Sequence, residues 1–126
     1  MYREIKKKRL ILENRKPYSQ ETAAYISEMN AVDFACSSIR LEGMATSRQN
    51  VERIVRGEFV VECSIREHVM VRSHCDALRE SYEMADMSGV LNESAILRLY
   101  KTLTGGEGWG FRRNNPVLRS LDYIPP

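Results

Sequence analysis

The sequence of 126 residues lacks any apolar run near the roughly 18 residues that a membrane-spanning helix needs, so we expect no transmembrane segment. Its basic N-terminus is not followed by an apolar stretch, which argues against a secretory signal and favours a cytoplasmic protein. It has only three cysteines, Cys36, Cys63 and Cys75. An odd number, with two of them inside helix patterns, predicts reduced structural thiols rather than a disulfide framework.

The net charge of the chain is only +2, but positive charge is concentrated at the N-terminus. Residues 1–16 contain seven Lys or Arg and two Glu, whereas the rest of the chain is slightly acidic. The run Lys6-Lys7-Lys8-Arg9 could bind phosphates, because clustered cations release counterions from a polyanion. The alternative is a solvated helix face, which we favour because no aromatic residues interleave with the cations. A partnership with nucleic acid is therefore not expected.

Hydrophobic periodicity predicts a single helical domain over residues 1–126. Residues 1–16 form a basic N-terminal helix that Pro17 ends, since proline disfavours helix at the preceding residue. Ser19 is the expected N-cap of a longer helix over 19–43, and Gly43 is placed to end it in a left-handed conformation. Its apolar stripe comprises Tyr25, Met29, Val32, Cys36 and Ile39.

Residues 46–104 form the predicted helical body. Thr46 with Gln49 indicates a capping box for a short helix, and Ser64 with Glu67 indicates another for a helix reaching about Met87. Asn92 is the expected cap of a further helix, which Gly105 ends. The predicted buried side of the middle helix comprises Ile65, Val69, Leu78, Tyr82 and Ala85. The result is an all-α class of four to five helices, followed by an irregular loop or hairpin over 105–126.

Ser38 and Glu42 are the most informative polar pair in the sequence. Four residues apart on a helix, they face the same way and could hydrogen-bond. A glutamate near a helix C-terminus is disfavoured by the helix dipole, which prefers cations there. We therefore expect a cationic partner, an arginine from another segment or another chain. The alternative is a solvent-facing glutamate that happens to precede Gly43.

The stretch Ser37-Ser38-Ile39-Arg40-Leu41-Glu42-Gly43 resembles the inhibitory helix motif of Fic-family proteins, Ser/Thr-x-x-x-Glu-Gly/Asn. Further on, Gly110-Phe111-Arg112 resembles the segment that opens the flap hairpin of that family. Asp122-Tyr123-Ile124-Pro125-Pro126 resembles the segment that closes the flap before the catalytic core. The order of these motifs agrees with the family from about residue 19 to the end.

This resemblance implies an inhibitory role for Ser38, Glu42 and Gly43. It also implies that the flap docks a target protein, and the flap residues it points to are Gly110, Phe111, Arg112 and Tyr123. The family signature His-Pro-Phe-x-Asp/Glu-Gly-Asn-Gly-Arg-x-x-Arg is absent from this sequence, so no catalytic residue is expected here. ATP and magnesium are expected only for a catalytic core outside this sequence, and Glu42 would pair with the second arginine of its signature.

Three functions follow as hypotheses. The first is the N-terminal regulatory and flap region of a Fic-type AMP transferase, inactive alone and acting on its core in cis. The second is a stand-alone inhibitor that acts on a Fic enzyme in trans, as antitoxin-like proteins do. The third is a small basic nucleic-acid-binding domain. Uncovered apolar faces also predict a homodimer.

A metal site is not expected. Four residues carry possible zinc ligands: Cys63, His68, His74 and Cys75. Their spacing matches no usual zinc finger, and the adjacent His74 and Cys75 point in different directions on a helix.

Overall fold

A computed structural model of the chain describes residues 2–87, 91–106 and 110–111. These residues contain no strand and form five helices: α1 (Tyr2–Glu13), α2 (Gln20–Leu41), α3 (Arg48–Val55), α4 (Ile65–Asp86) and α5 (Glu93–Thr104). The predicted all-α class with four to five helices is confirmed. Most of the predicted flap segment lies outside the described residues.

The core lies where α2, α3 and α4 pack against one another, and α5 packs on the outside of α4. Burying apolar side chains drives this packing, since each buried Val or Ile contributes about 1.5–3 kcal/mol relative to exposure. The buried cluster comprises Val32, Ala35, Cys36, Ile39, Val51, Ile54, Val60, Cys63 and Val71. No helix among the described residues is both long enough and apolar enough to cross a membrane.

Helix α1 packs against none of the other four helices, and all of its residues are exposed. Its side chains interact locally: Arg9 Nε lies 2.8 Å from Glu13 Oε1, and Lys6 Nζ lies 4.7 Å from the centre of the Tyr2 ring. This arrangement agrees with a solvated helix face. It also leaves the basic side chains accessible to an anionic partner.

The predicted stripe on α2 is confirmed only in its C-terminal half. Ser19 is the N-cap, and its hydroxyl accepts a hydrogen bond from the Thr22 N–H at 3.2 Å. Val32, Cys36 and Ile39 are buried, but Tyr25 is 64% exposed. The reason is that residues 20–27 are exposed throughout, so the first two turns of α2 extend beyond the helices that cover the rest.

The loop between α2 and α3 corrects one predicted cap. Ser47, rather than Thr46, is the N-cap of α3, and its hydroxyl accepts from the Asn50 N–H. Thr46 is buried instead, and its hydroxyl donates to Glu67 Oε1 at 2.6 Å. The predicted capping box of Ser64 and Glu67 at the start of α4 is confirmed. Glu67 therefore connects the start of α4 to the loop before α3.

The predicted buried face of α4 is wrong. Ile65, Val69 and Tyr82 are 75%, 56% and 51% exposed, Ala85 is exposed and Leu78 is half-buried. The buried residues are His68, Val71, His74 and Ala77. Two histidines can face the core because both of their ring nitrogens have polar partners, which removes most of the cost of burying them.

Glu80 on α4 makes two polar contacts with helix α5. One oxygen of this carboxylate accepts from the Thr102 hydroxyl at 2.6 Å, and the other pairs with the Arg98 guanidinium. Both contacts lower the pKa of Glu80, the Thr102 hydrogen bond most. No residue of α5 is fully buried, and Ile96 and Tyr100 remain 46% and 40% exposed. This half-covered apolar face suits the expected dimer, which stays a prediction.

Candidate functional site

Helix α2 ends just before Gly43, as the sequence predicts. Glu42 is the C-cap residue of α2. Gly43 follows it with a φ of +82°. The Gly43 N–H donates to the Arg40 carbonyl and the Met44 N–H to the Ile39 carbonyl, both at 3.0 Å. This pair of hydrogen bonds is the Schellman motif, in which glycine is preferred because the left-handed conformation is strained for other residues. Because Ile39 is fully buried, the helix end that carries Glu42 is anchored to the core.

The carboxylate of Glu42 has a partner within this chain. Its Oε1 lies 3.2 Å from Nε2 of His74 on α4. The His74 side chain is only 9% exposed, whereas the Glu42 side chain is 51% exposed. The partner of Glu42 in this chain is therefore a histidine, which is a cation only when protonated, and not the expected arginine. The carboxylate is held from one side and open to solvent on the other.

His74 is the site residue that sequence reasoning missed. The sequence shows two histidines six residues apart, but the apolar pattern of α4 places its core face elsewhere. The sequence signal that could have indicated a buried His74 is a polar residue within a helix whose apolar residues do not form one clear stripe. Even so, nothing in the local sequence connects His74 to the end of α2.

Ser38 lies one turn before Glu42 on α2 and is half-buried. Its carbonyl accepts the Glu42 N–H at 3.2 Å. The side-chain hydrogen bond expected between Ser38 and Glu42 is not among those that the described residues form. The structure therefore brings Ser38, Glu42 and Gly43 together at one helix end, with the carboxylate turned to His74.

Glu42 stands at the edge of an open groove of about 630 Å³ between the end of α2 and the helices α4 and α5. Its lining comprises Glu42, Arg66, Val69, Met70, Ser73, Tyr100, Leu103 and Thr104. The groove thus combines apolar side chains with one carboxylate and one guanidinium. Such a surface can accept a protein segment with a cationic side chain and apolar neighbours.

The thiols are unsuited to nucleophilic chemistry. Burial raises the pKa of Cys36, of Cys63 and of Cys75, which favours the protonated thiol. No group of three or more His, Cys, Asp or Glu side chains in the described parts of the chain could hold a metal ion.

Two of the four predicted flap residues fall within the structure. Gly110 has φ of +111°, a backbone conformation that suits glycine, and Phe111 is 59% exposed. Arg112 and Tyr123 lie outside the described residues. The predicted role of this segment in docking a target stays a prediction.

Comparison with protein-family models, with curated proteins and with solved structures finds no match to this chain. The resemblance to Fic proteins therefore rests on the order of the motifs and on the residues that carry them.

Proposed function

We propose that this chain is the N-terminal regulatory and flap region of a Fic-type protein that transfers AMP from ATP to a protein hydroxyl, with Glu42 as its inhibitory residue. In this proposal Glu42 binds the second arginine of the catalytic signature, which belongs to a core supplied in cis or in trans. ATP and magnesium are ligands of that core. The chain alone is inactive because its sequence contains no His-Pro-Phe signature.

The observation that carries this proposal is the placement of the Glu42 carboxylate. The Schellman motif and the buried Ile39 hold the helix end in position, while the carboxylate keeps 51% of its side-chain surface exposed. A guanidinium binds a carboxylate through two parallel, charge-assisted hydrogen bonds, which are stronger than neutral ones. An incoming arginine can therefore compete with His74 for Glu42.

The groove beside Glu42 supports a protein partner rather than a small molecule. Val69 and Leu103, which line it, are 56% and 37% exposed. A partner segment that brings an arginine to Glu42 would cover these apolar side chains and gain the free energy of their burial. The charge and the apolar surface thus favour the same occupant.

The test joins this chain to a Fic-type catalytic core encoded downstream and measures AMP transfer to protein from labelled ATP. Glu42→Ala removes the inhibitory carboxylate. We expect activity to rise about tenfold or more, because a hydrogen bond to a charged group contributes about 1.5–3 kcal/mol. The matched control is Glu58→Ala, since Glu58 also follows a helix end, is 50% exposed and pairs with Arg53 at 2.9 Å. Equal activity in the two variants would show that Glu42 does not inhibit.

The same variants separate action in cis from action in trans. The isolated chain is titrated into a Fic-type catalytic core from the same cell, and complex formation is followed by size-exclusion chromatography. A complex that inhibits AMP transfer, and that Glu42→Ala weakens, would identify a stand-alone inhibitor. Inhibition seen only in the joined protein would identify a regulatory region.

A further inference from the structure

Two histidines on α4 use one of their ring nitrogens in the same way. His68 Nδ1 lies 2.9 Å from the Ser64 carbonyl, and His74 Nδ1 lies 2.8 Å from the Met70 carbonyl. A carbonyl oxygen only accepts hydrogen bonds, so Nδ1 carries a proton in both rings. The protonation state of each ring is then decided by what faces Nε2.

The partners of Nε2 are opposite in kind. His68 Nε2 accepts the Val60 N–H at 3.0 Å, which requires a lone pair and therefore a neutral ring. This ring is also stacked on Phe59, with 4.9 Å between ring centres. His74 Nε2 instead faces Glu42 Oε1 at 3.2 Å, and a carboxylate oxygen can only accept. A hydrogen bond there requires a second proton, so the pair is fully formed only when His74 is an imidazolium.

We propose that His74 is a positioning residue that holds the Glu42 carboxylate while protonated and releases it when neutral. The protonated ring places a cation at the C-terminus of α2, where the helix dipole favours one. After loss of the Nε2 proton, a lone pair faces the carboxylate and the attraction becomes a repulsion. Glu42 then turns toward the groove, with both oxygens open to a guanidinium.

The charged and titratable groups around the pair leave this exchange intact. From α4 and α5, Arg66 and Tyr100 line the groove with Glu42, but the ion pair that Glu42 forms among the described residues is with His74 and not with Arg66. From α2, the Phe34 ring lies 6.1 Å from the His74 ring and carries no charge. Burial raises the pKa of Cys36 on α2 and of Cys75 on α4, which keeps both thiols neutral.

The arginines of α3 and its cap are engaged elsewhere. They pair with acidic residues of α2 and of the loop after α3, as Arg48 with Asp33, Arg53 with Glu58, and Arg56 with Glu28. None of these ion pairs includes Glu42 or His74. Glu42 is therefore the carboxylate that responds to the proton on His74.

The proposal is tested by NMR on the isolated chain between about pH 5 and 8, the range in which imidazoles change charge. The amide resonances of Gly43 and Met44 are followed because they report the helix end that carries Glu42. In the wild type we expect them to shift together with the His74 ring resonance. This shift of the Gly43 and Met44 amides with pH is lost in two variants. One is Glu42→Gln, a substitution at an exposed side chain, and the other is His74→Gln, which keeps a neutral hydrogen-bond donor.

The matched control is His68→Gln, which removes the other buried histidine of α4. Its Nε2 has no carboxylate partner, so the response of Gly43 and Met44 to pH is retained. Two results would overturn the proposal: amides that do not respond in the wild type, or a response of equal size in Glu42→Gln. The exposed Glu42 variant decides the matter even if His74→Gln does not fold.

The consequence for regulation rests on the proposed function. In the joined protein, raising the pH across the range of the NMR response strengthens inhibition by about two- to fivefold, the range expected for a half-exposed ion pair. His74→Gln removes this pH dependence, whereas Glu42→Ala removes inhibition itself. If the NMR response is found but Glu42→Ala leaves AMP transfer unchanged, the proposed function fails while the pairing of His74 with Glu42 stands.

Discussion

Replacing Glu67 with alanine removes the carboxylate that connects the start of α4 to the loop before α3. One oxygen accepts from the Thr46 hydroxyl at 2.6 Å, and the other from the Ser64 N–H at 2.7 Å and the Ser64 hydroxyl at 2.8 Å. Glu67→Ala therefore removes the acceptor of three donors, of which the buried Thr46 hydroxyl is the one that water cannot readily satisfy. We expect this single change to destabilise the fold more than the substitution of an exposed carboxylate that lacks such hydrogen bonds.

The magnitude follows from the burial of Thr46, which is only 6% exposed. Leaving a buried hydroxyl unpaired costs about 1–3 kcal/mol, and weakening the cap of α4 adds about 0.5–1 kcal/mol. The expected loss is about 1.5–4 kcal/mol of the free energy of unfolding. With a denaturant slope of about 1–3 kcal/mol per molar urea, the urea midpoint falls by about 0.5–4 M.

The assay is urea unfolding followed by the helical circular dichroism signal. The control is Glu83→Ala, because Glu83 is an exposed residue of the same helix. We expect this variant to change the free energy of unfolding by less than about 0.5 kcal/mol. If Glu67→Ala and Glu83→Ala unfold at the same urea concentration, the hydrogen bonds of Glu67 do not stabilise the fold.

Acid adds a second measurement on the same residue. The hydrogen bonds from Thr46 and then from Ser64 lower the pKa of Glu67 from its ordinary value of 4.5. A carboxylate with a lowered folded-state pKa contributes stability above that ordinary value and loses it as the pH falls through the folded value. The stability difference between the wild type and Glu67→Gln therefore shrinks on acidification below about pH 4.5. A difference that stays constant from neutral pH to about pH 3 would contradict this assignment.

Three further predictions concern other parts of the fold. Ile39→Ala lowers the free energy of unfolding by about 2–5 kcal/mol because Ile39 is fully buried. Leu41→Ala is the control in the same urea unfolding assay: Leu41 is 90% exposed, so this variant changes the free energy by less than about 0.5 kcal/mol. Gly43→Ala costs about 1–2 kcal/mol from backbone strain alone, since a Cβ there meets no atom within 4 Å; an unchanged urea midpoint would show that the helix ends differently. Glu80→Gln with Thr102→Val speeds hydrogen exchange of α5 amides but not of α2 amides. Equal effects on both helices would mean that these contacts do not stabilise α5 locally.

Helix starts and ends were largely predictable from the sequence because they depend on neighbouring residues. Ser19, Ser64 and Asn92 each cap a helix as expected, and Gly43 ends α2 in the left-handed conformation. The misassigned cap at Thr46 shows the limit of this reasoning. The neighbouring Ser47 is the N-cap instead. The Thr46 hydroxyl donates to Glu67, which lies 21 residues away in the sequence, so local sequence does not reveal this contact.

Which side of a helix is buried was harder to predict. On α2 the predicted apolar stripe is buried only where other helices cover it, and Tyr25 lies in the part that they do not cover. On α4 the predicted apolar residues Ile65 and Val69 are exposed, while His68 and His74 are buried. Hydropathy ranks a histidine below isoleucine, but it does not include the hydrogen bonds that satisfy a buried ring.

The sequence by itself determined the all-α class, the main caps and the position of Glu42 at a helix end, because capping and helical periodicity act within a few residues. It also predicted a cationic partner for a glutamate at this place, with a solvent-facing glutamate as the alternative. Only the tertiary structure decided that the partner is His74, because the packing of α2 against α4 brings these two residues together. The same packing left one side of the carboxylate open beside a groove, and this placement supports the regulatory role that we propose.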